Sequence, residues 1–425
     1  MTRSTPSPSR PPGDAAWLFW LCASRTGFAM IFTAYSAALP LLKAEWGISA
    51  GEAGLVQSSW HAGYLISLFG AGFLADHYGA RSTFLWTSVA ASAAGLAFAL
   101  FASSFWSALL LHGLAGLCSG GSYTPGLALI AQRFASGGQG RAMGYYLAAA
   151  SLGYGLTLLL AGALIAPLGW RGMFLLIACG PVLATFIGFG VLRATPNVVH
   201  PRPGIRSAWH AFREVLGNRP AMLSVWAYAF HAWELLGLWA WLPAFLAAAQ
   251  GGATSAQTVS TAAWMTALTY LLGTLGSALA GGLSDRWGRT AVILAASTAS
   301  AACAFCFGWM LGLPIVAIVA VALLFNLTGT SDSSVHSTAL AELVPPSQIG
   351  AAYSIRSLLG FGAGAVSPWV FGMVLDGGRA APLGSDYLAW GLAWMSLGIG
   401  GALCPIVTWR LRRRPEAARL AKGLR

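Results

Sequence analysis

The sequence predicts an all-α membrane protein in which twelve transmembrane helices form two pseudo-symmetric six-helix bundles. Of its 425 residues, 57% are hydrophobic and only 8% are charged. A soluble protein of this length needs more charge to cover its surface, so the composition excludes a soluble domain. Many apolar stretches exceed the ~18 residues that cross a bilayer core. The segment at 72–81 also recurs at 281–289, 209 positions later, which indicates two halves of one architecture.

The apolar stretches define the elements in chain order. We predict spans at 17–42, 53–75, 82–103, 105–132, 142–166, 170–192, 222–249, 259–284, 290–311, 313–341, 351–375 and 387–409. They divide the chain into five parts. A polar tail at 1–16, expected to be disordered, precedes a first bundle at 17–192. A linker at 193–221 leads to a second bundle at 222–409 and a basic tail at 410–425. Within the linker, Ser207–Leu216 is expected to form a short amphipathic helix on the membrane surface.

The basic residues predict the orientation of the chain. With the N-terminus inside, inner segments hold 19 Lys and Arg, whereas outer loops hold three, at Lys43, Arg171 and Arg379. This asymmetry satisfies the positive-inside rule, so we expect a multi-pass protein of a bacterial inner membrane with both termini cytoplasmic. The net charge of +12 then reflects topology and contact with the lipid bilayer. It does not indicate nucleic-acid binding, because the basic residues form no patch with interleaved aromatics.

Each copy of the repeated segment lies in a short loop between two spans. The first copy contains Gly72, Leu74, Ala75, Asp76, Gly79 and Arg81, and the second contains Leu283, Ser284, Asp285, Arg286, Gly288 and Arg289. These segments resemble the loop motif of the major facilitator superfamily (MFS), and the resemblance extends over the whole chain. It implies the MFS fold, in which two bundles rock around a central site in alternating access.

The resemblance also implies roles for particular residues and spans. The loop aspartates are expected near a helix N-terminus, where the dipole favours a carboxylate and where they would latch one conformation. The candidate gating residues of the two loops are Asp76, Arg81, Asp285, Arg286 and Arg289. His77 departs from the family pattern, which usually has Arg or Lys there. Span 5 lacks the Gly-Pro run of drug/proton antiporters, and spans 1 and 4 look similar to small organic anion permeases.

The few polar residues at membrane depth are the candidates for function. In the superfamily, spans 1, 4, 7 and 10 are implied to line the cavity, and these spans carry Arg25, His112, His231, Glu234, Asp332 and His336. Tyr123 and Trp241 extend the stripes of His112 and Glu234. Arg25 and Glu234 are 209 positions apart, so the two halves would place opposite charges at equivalent positions. Leu39-Pro40, however, matches Leu242-Pro243 better, at an offset of 203.

Two ion pairs are expected from this placement. In the first hypothesis, Arg25 binds a substrate anion and Glu234, aided by His231, is the protonation site, so that a proton arriving at Glu234 releases Arg25. The alternative is a permanent structural pair. The second pair is Asp332 with Arg356 of span 11, interpreted as a structural or gating bridge.

These observations favour proton-coupled uptake of a small organic anion. Proton-driven efflux of drugs or amphipathic metabolites is the alternative, and a membrane enzyme or a receptor is the interpretation from another class. The sequence has no Gly-x-x-x-x-Gly-Lys-Ser/Thr loop, no metal-ligand cluster and no nucleophile–base constellation. We therefore expect a monomer that is not an enzyme and has no cofactor or metal, with protons, a small-molecule substrate and lipid as its partners.

Overall fold

The computed structural model describes residues 13–134, 138–199, 205–252 and 254–424, and over these ranges it contains helices and no strand. The α-helices are α1 (Asp14–Ala29), α2 (Ile31–Trp46), α3 (Ala50–Tyr78), α4 (Ala80–Phe101), α5 (Phe105–Ser119), α6 (Thr124–Arg133), α7 (Gln139–Leu192), α8 (Ile205–Gly217), α9 (Arg219–Ala249), α10 (Ala256–Trp287), α11 (Arg289–Phe307), α12 (Ile315–Ser331), α13 (Ser333–Leu343), α14 (Ile349–Ala380) and α15 (Asp386–Arg412).

Across the described ranges, these helices make the twelve predicted spans. Spans 1, 4 and 10 are each two helices in line, namely α1–α2, α5–α6 and α12–α13. The 54-residue α7 holds spans 5 and 6, because Gly169 has a non-helical φ of 67° and turns the chain back. Spans 2, 3, 7, 8, 9, 11 and 12 are α3, α4, α9, α10, α11, α14 and α15. Most helices begin or end a few residues beyond the predicted bounds, since helices project past the apolar core of a bilayer.

The two halves share local features at the 209-residue offset. Gly79 and Gly288 both end a helix with positive φ, at 87° and 96°, a conformation that glycine adopts without strain. Each therefore makes the sharp turn that the repeated loop requires. Span 4 breaks at Tyr123 and span 10 breaks at Asp332, which are again 209 residues apart. The repeat seen in the sequence is thus a repeat of backbone geometry.

The halves meet where α3 packs along α14 and α7 packs along α10. Small residues permit this contact: a Cβ atom at Gly54 would collide with the carbonyl oxygen of Pro368, and one at Gly372 would collide with that of Ala50. Close backbone approach is the usual basis of helix association in membranes, since lipid offers no hydrophobic driving force between helices. These contacts lie at the end of the bundle opposite Asp14 and Arg412, which we call the outer end; the end at which Asp14 and Arg412 lie is the inner end.

The segments outside the bundles depart in part from the predictions. Of the tail at 1–16, residues 1–12 lie outside the described residues, and α1 already begins at Asp14. The linker contains α8, which agrees with the predicted amphipathic helix, while residues 200–204 lie outside the described ranges. The basic tail packs against the protein: Ala417 and Leu420 are buried, and the backbone N–H of Ala421 donates to Glu342 at 2.9 Å.

Candidate functional site

A cavity of about 210 Å³ lies between the two halves. Its walls come from spans 1, 2, 4, 5, 7, 10 and 11. Arg25 and Tyr123 line it from the first half, and Tyr228, His231 and Ser333 line it from the second. Of the residues predicted to bind substrate or protons, the structure brings Arg25, Tyr123 and His231 together at this one cavity.

Arg25 is held in place by the break in span 4. One guanidinium nitrogen donates to the hydroxyl of Ser122 at 2.5 Å, and the group lies over the rings of Tyr123 and Tyr146, at 5.5 and 5.7 Å from their centroids. The hydroxyl of Tyr146 donates in turn to the backbone carbonyl of Ser122. Arg25 is 5% exposed, its Nε lacks a hydrogen-bond partner, and no described carboxylate contacts it. The cavity wall thus carries a buried positive charge without a counter-charge from the described part of the protein.

Asp332 and two histidines form a cluster at the break in span 10. One Asp332 oxygen lies 2.9 Å from Nδ1 of His231, and the other is hydrogen-bonded to Nε2 of His336 at 3.3 Å. Nε2 of His231 is hydrogen-bonded to Ser333 at 2.9 Å, so His231 connects the cavity wall to the buried carboxylate. One atom of each residue that could ligate a metal ion, a nitrogen of each histidine and an oxygen of Asp332, lies within 4.8 Å of the other two. Sequence spacing did not predict this cluster, because residues 231 and 332 are far apart in the chain.

Glu234 does not meet Arg25, and the predicted pair is not formed. Its carboxylate packs against Gly401 of α15, and its polar neighbours are the hydroxyl of Ser300 and the Asp332 carboxylate. Three residues advance a helix by about 300°, so the side chains of His231 and Glu234 leave α9 in directions about 60° apart. His231 faces the cavity, whereas Glu234 faces the interior of the second bundle. The offset of 203 places Tyr228 opposite Arg25, and Tyr228 does line the cavity.

The predicted bridge between Asp332 and Arg356 is also absent. Arg356 donates to the hydroxyl of Ser337 and lies over the ring of Tyr228, with 4.4 Å to its centroid. The charged neighbours of Asp332 are two histidines, His231 on α9 and His336 on α13, at 2.9 and 3.3 Å. Arg356 therefore contacts the ring of Tyr228, which lines the cavity, and not the carboxylate of Asp332.

Two further candidates lie away from the central cavity. His112 packs between the rings of Tyr35 and Phe98 inside the first half, with centroid distances of 4.9 and 5.3 Å. Trp241 lines a separate cavity at the outer end, where its indole N–H donates to the carbonyl of Pro368 at 2.9 Å. Both side chains belong to the packing of the bundles in this structure.

The two copies of the loop motif differ in their contacts. In the second copy, Arg289 pairs with Asp285 at 2.5 Å and with Glu342 at 2.9 Å. In the first copy, Asp76 is exposed, and no ion pair to it is found among the described residues. Arg81 has a buried Nε with no hydrogen-bond partner, and Arg286 is exposed. The gating predictions thus fall on loops at the inner end, where, within the described ranges, only the second copy forms its ion pairs.

Sequence reasoning missed most of the cavity wall. Phe32, Trp60, Tyr64, Tyr154 and Trp239 line the cavity and contact one another. A weak signal was present, since Trp60 and Tyr64 stand four residues apart on one face of span 2. Aromatic residues are too common in these spans for that spacing to identify a site.

Comparison with known proteins agrees with this architecture. The chain is 23% identical over 395 residues to a hexuronate transporter of Bacillus subtilis, covering 88% of this chain and 91% of the relative. It is 25% identical over 277 residues to a probable sulfoacetate transporter of Cupriavidus necator, covering 60% and 63%.

Among solved structures, a bacterial homologue of the human lysosomal transporter Spinster, described as inward-facing and unoccupied, is similar with a TM-score of 0.76. The sequence identity is 16%, and the match covers 94% of this chain and 97% of that one. The sequence profile of the Major Facilitator Superfamily matches residues 21–368 and 253–424. With its helical bundles and central cavity, this chain therefore belongs to the Major Facilitator Superfamily and is a membrane transporter, not an enzyme.

Proposed function

We propose that this protein is a secondary active transporter that takes up a small organic anion together with a proton. The single observation that carries the proposal is Arg25, a buried cation that faces the cavity and has no carboxylate partner among the described residues. An isolated charge in a low-dielectric interior is strongly unfavourable unless it is paired. A substrate carboxylate or sulfonate in the cavity supplies that pairing, and a guanidinium can bind either group with two parallel hydrogen bonds.

The size of the cavity supports a small substrate. At about 210 Å³, it is smaller than the ~300–1,000 Å³ typical of sites for drug-sized ligands. Hexuronate and sulfoacetate, after which two relatives are named, are small acids. Efflux of an amphipathic drug is the alternative, and it finds less support in a cavity of this size with an unpaired arginine.

The arrangement of acids and histidines supports proton coupling. The Asp332 carboxylate has no contact with a described arginine, and it is reached from the cavity through His231. A proton that enters from the cavity can therefore pass along His231 to Asp332. Glu234, the site expected from the sequence, lies one step deeper, behind the cavity wall, with Asp332 as a charged neighbour. Proton uptake at this cluster would offset the negative charge that the substrate brings into the membrane.

The anion site is tested by thermal shift on purified protein with sodium glucuronate, sulfoacetate and benzoate as probes. We expect at least one probe to stabilise the wild type and none to stabilise Arg25→Gln. Arg410→Gln, an exposed arginine on α15, is the matched control and should respond as the wild type does. Equal stabilisation of Arg25→Gln contradicts the proposal, and stabilisation by cationic or neutral drugs alone favours efflux. The unliganded melting temperature of each variant shows whether it is folded.

Coupling and direction are tested with the same protein in liposomes. We expect the stabilising probe to accumulate when the lumen is more alkaline than the medium, and a protonophore should abolish the accumulation. Accumulation that persists with the protonophore contradicts proton coupling but leaves anion transport standing. Comparing right-side-out with inside-out cell vesicles separates uptake from efflux.

A further inference from the structure

Five aromatic rings from four spans surround the central cavity. The ring of Phe32 is 4.7 Å from those of Trp60 and Tyr154 and 6.0 Å from that of Trp239, measured between centroids. Tyr64 stacks on Trp60 at 4.9 Å with an interplanar angle of 13°. These five residues, which we call the aromatic belt, come from both halves of the chain. All of them line the same cavity as Arg25.

Most of the surface that lines this cavity is apolar. Besides Arg25, the described lining offers tyrosine, serine and histidine side chains, and it contains no Asn, Gln, Asp or Glu. A sugar acid brings several hydroxyl groups, each of which loses its bonds to water on entering the site and needs a protein partner. The belt offers flat apolar faces where a polyhydroxylated substrate would need hydrogen-bonding groups.

A smaller polar recess adjoins the belt. It measures about 140 Å³ and shares Ser151, Tyr154, Trp239 and Ser333 with the central cavity. Its far wall includes Asn326, which accepts the indole N–H of Trp239 at 3.0 Å. The recess can take one polar substituent of a substrate whose body lies against the belt.

We propose that the substrate is a planar ring monocarboxylate, whose carboxylate pairs with Arg25 and whose ring stacks in the aromatic belt. This inference rests on the proposed function and names the substrate class of the same site. Arg25 is the only arginine or lysine among the described lining residues, which matches one negative charge rather than two. Offset and edge-to-face packing on aromatic faces favours a flat ring beyond the area that it buries.

The proposal is tested by measuring the Kd of the full-length purified protein for four probes. Three are sodium salts, namely benzoate, cyclohexanecarboxylate and glucuronate, and the fourth, benzamide, is neutral. We expect benzoate to bind at least tenfold more tightly than glucuronate and more tightly than cyclohexanecarboxylate. Benzamide, which has the ring without the charge, should not bind. Trp239→Leu should weaken benzoate binding about tenfold through the lost ring contact. Trp239→Phe, which keeps a ring, should restore most of it.

Trp226→Leu is the control, since Trp226 lies on the same helix and is exposed at its surface. Tighter binding of glucuronate than benzoate would overturn the ring assignment and leave an anion transporter. Equal binding of benzoate and cyclohexanecarboxylate would overturn stacking. If none of the carboxylates binds but the protein is folded, the proposed function itself fails. Should Trp239→Leu not fold, the order of the four probes on the wild type still decides the inference.

Discussion

Arg25 and Asp332 are both buried and charged, but different groups surround them. Asp332 is surrounded by two imidazoles and lies 1% exposed, whereas Arg25 meets a hydroxyl and two aromatic rings. Asp332 therefore has two neighbours that can carry the opposite charge, whereas Arg25 has none among the described residues. This difference assigns substrate binding to Arg25 and proton exchange to the Asp332 cluster in the proposed cycle.

The substitution Asp332→Asn should separate these two tasks. The amide that replaces the carboxylate cannot take up a proton, so accumulation driven by a pH gradient should fall at least tenfold. Exchange of labelled for unlabelled substrate across the membrane needs no net proton movement and should persist. Both rates are measured in liposomes with the probe that stabilises the wild type. Glu234→Gln is the companion variant: loss of driven accumulation there, with Asp332→Asn unaffected, would move the protonation site to Glu234.

At the scale of the element, glycines decide how closely the helices of the two halves approach. On α3, Gly54 faces the Pro368 carbonyl of α14, whereas Gly70 has no atom of a neighbouring element within 4 Å of an added Cβ. The same helix thus carries one glycine that the fold requires and one that it does not. The N-terminus of α3 is equally well determined, because Ser49 and Glu52 form a capping box there.

The substitution Gly54→Ala should destabilise the protein, because the new methyl group has to push α3 away from a backbone carbonyl. Overpacking of this kind costs about 1–3 kcal/mol. Gly70→Ala should leave the melting temperature unchanged or raise it slightly, since alanine is favoured over glycine inside a helix by roughly 0.5–1 kcal/mol. Thermal unfolding of both variants in detergent measures the contrast. Equal melting temperatures for the two would mean that α3 and α14 do not pack closely in solution.

For the whole molecule, the outer end is a place where hydrogen bonds join the two halves. The carboxylate of Asp376 on α14 accepts hydrogen bonds from the backbone N–H groups of Ala50 and Gly51 at 3.0 and 2.7 Å. It therefore caps the first turn of α3 from the other half, where the helix dipole favours a negative charge. Ser260 of α10 similarly donates to the carbonyl of Gly162 on α7. These hydrogen bonds join the two halves at the outer end.

Replacing Asp376 by Ala should shift the protein towards opening at the outer end. Loss of a capping carboxylate costs about 0.5–2 kcal/mol, which changes an equilibrium between two conformations several-fold. Hydrogen exchange of the peptides that cover residues 50–57 should be faster in this variant. Asp386→Ala is the control, because Asp386 also lies at the outer end but pairs with Arg379 of its own half at 2.7 Å. Unchanged exchange in Asp376→Ala, or the same change in both variants, would contradict a latch at this position.

Much of this architecture was predicted from the sequence. The lengths of the apolar stretches indicated the spans, and the repeat of Gly79 at Gly288 indicated the two halves, because these are properties of local segments. The site was predicted only in part: Arg25, Tyr123 and His231 meet at the cavity, while Glu234, His112 and Trp241 point elsewhere. The pairs of Arg25 with Glu234 and of Asp332 with Arg356 were expected and are not formed.

The sequence by itself determined the number of spans, their order and the position of each charge along its span, because crossing a bilayer constrains length and composition along one chain. Only the tertiary structure decided which charges meet, because that depends on the rotation of each helix about its axis. A membrane helix is apolar both where it faces lipid and where it faces its neighbours, so the hydrophobic pattern does not record this rotation. On α9, two side chains only one position apart in the chain can face the cavity and the interior of the bundle, respectively.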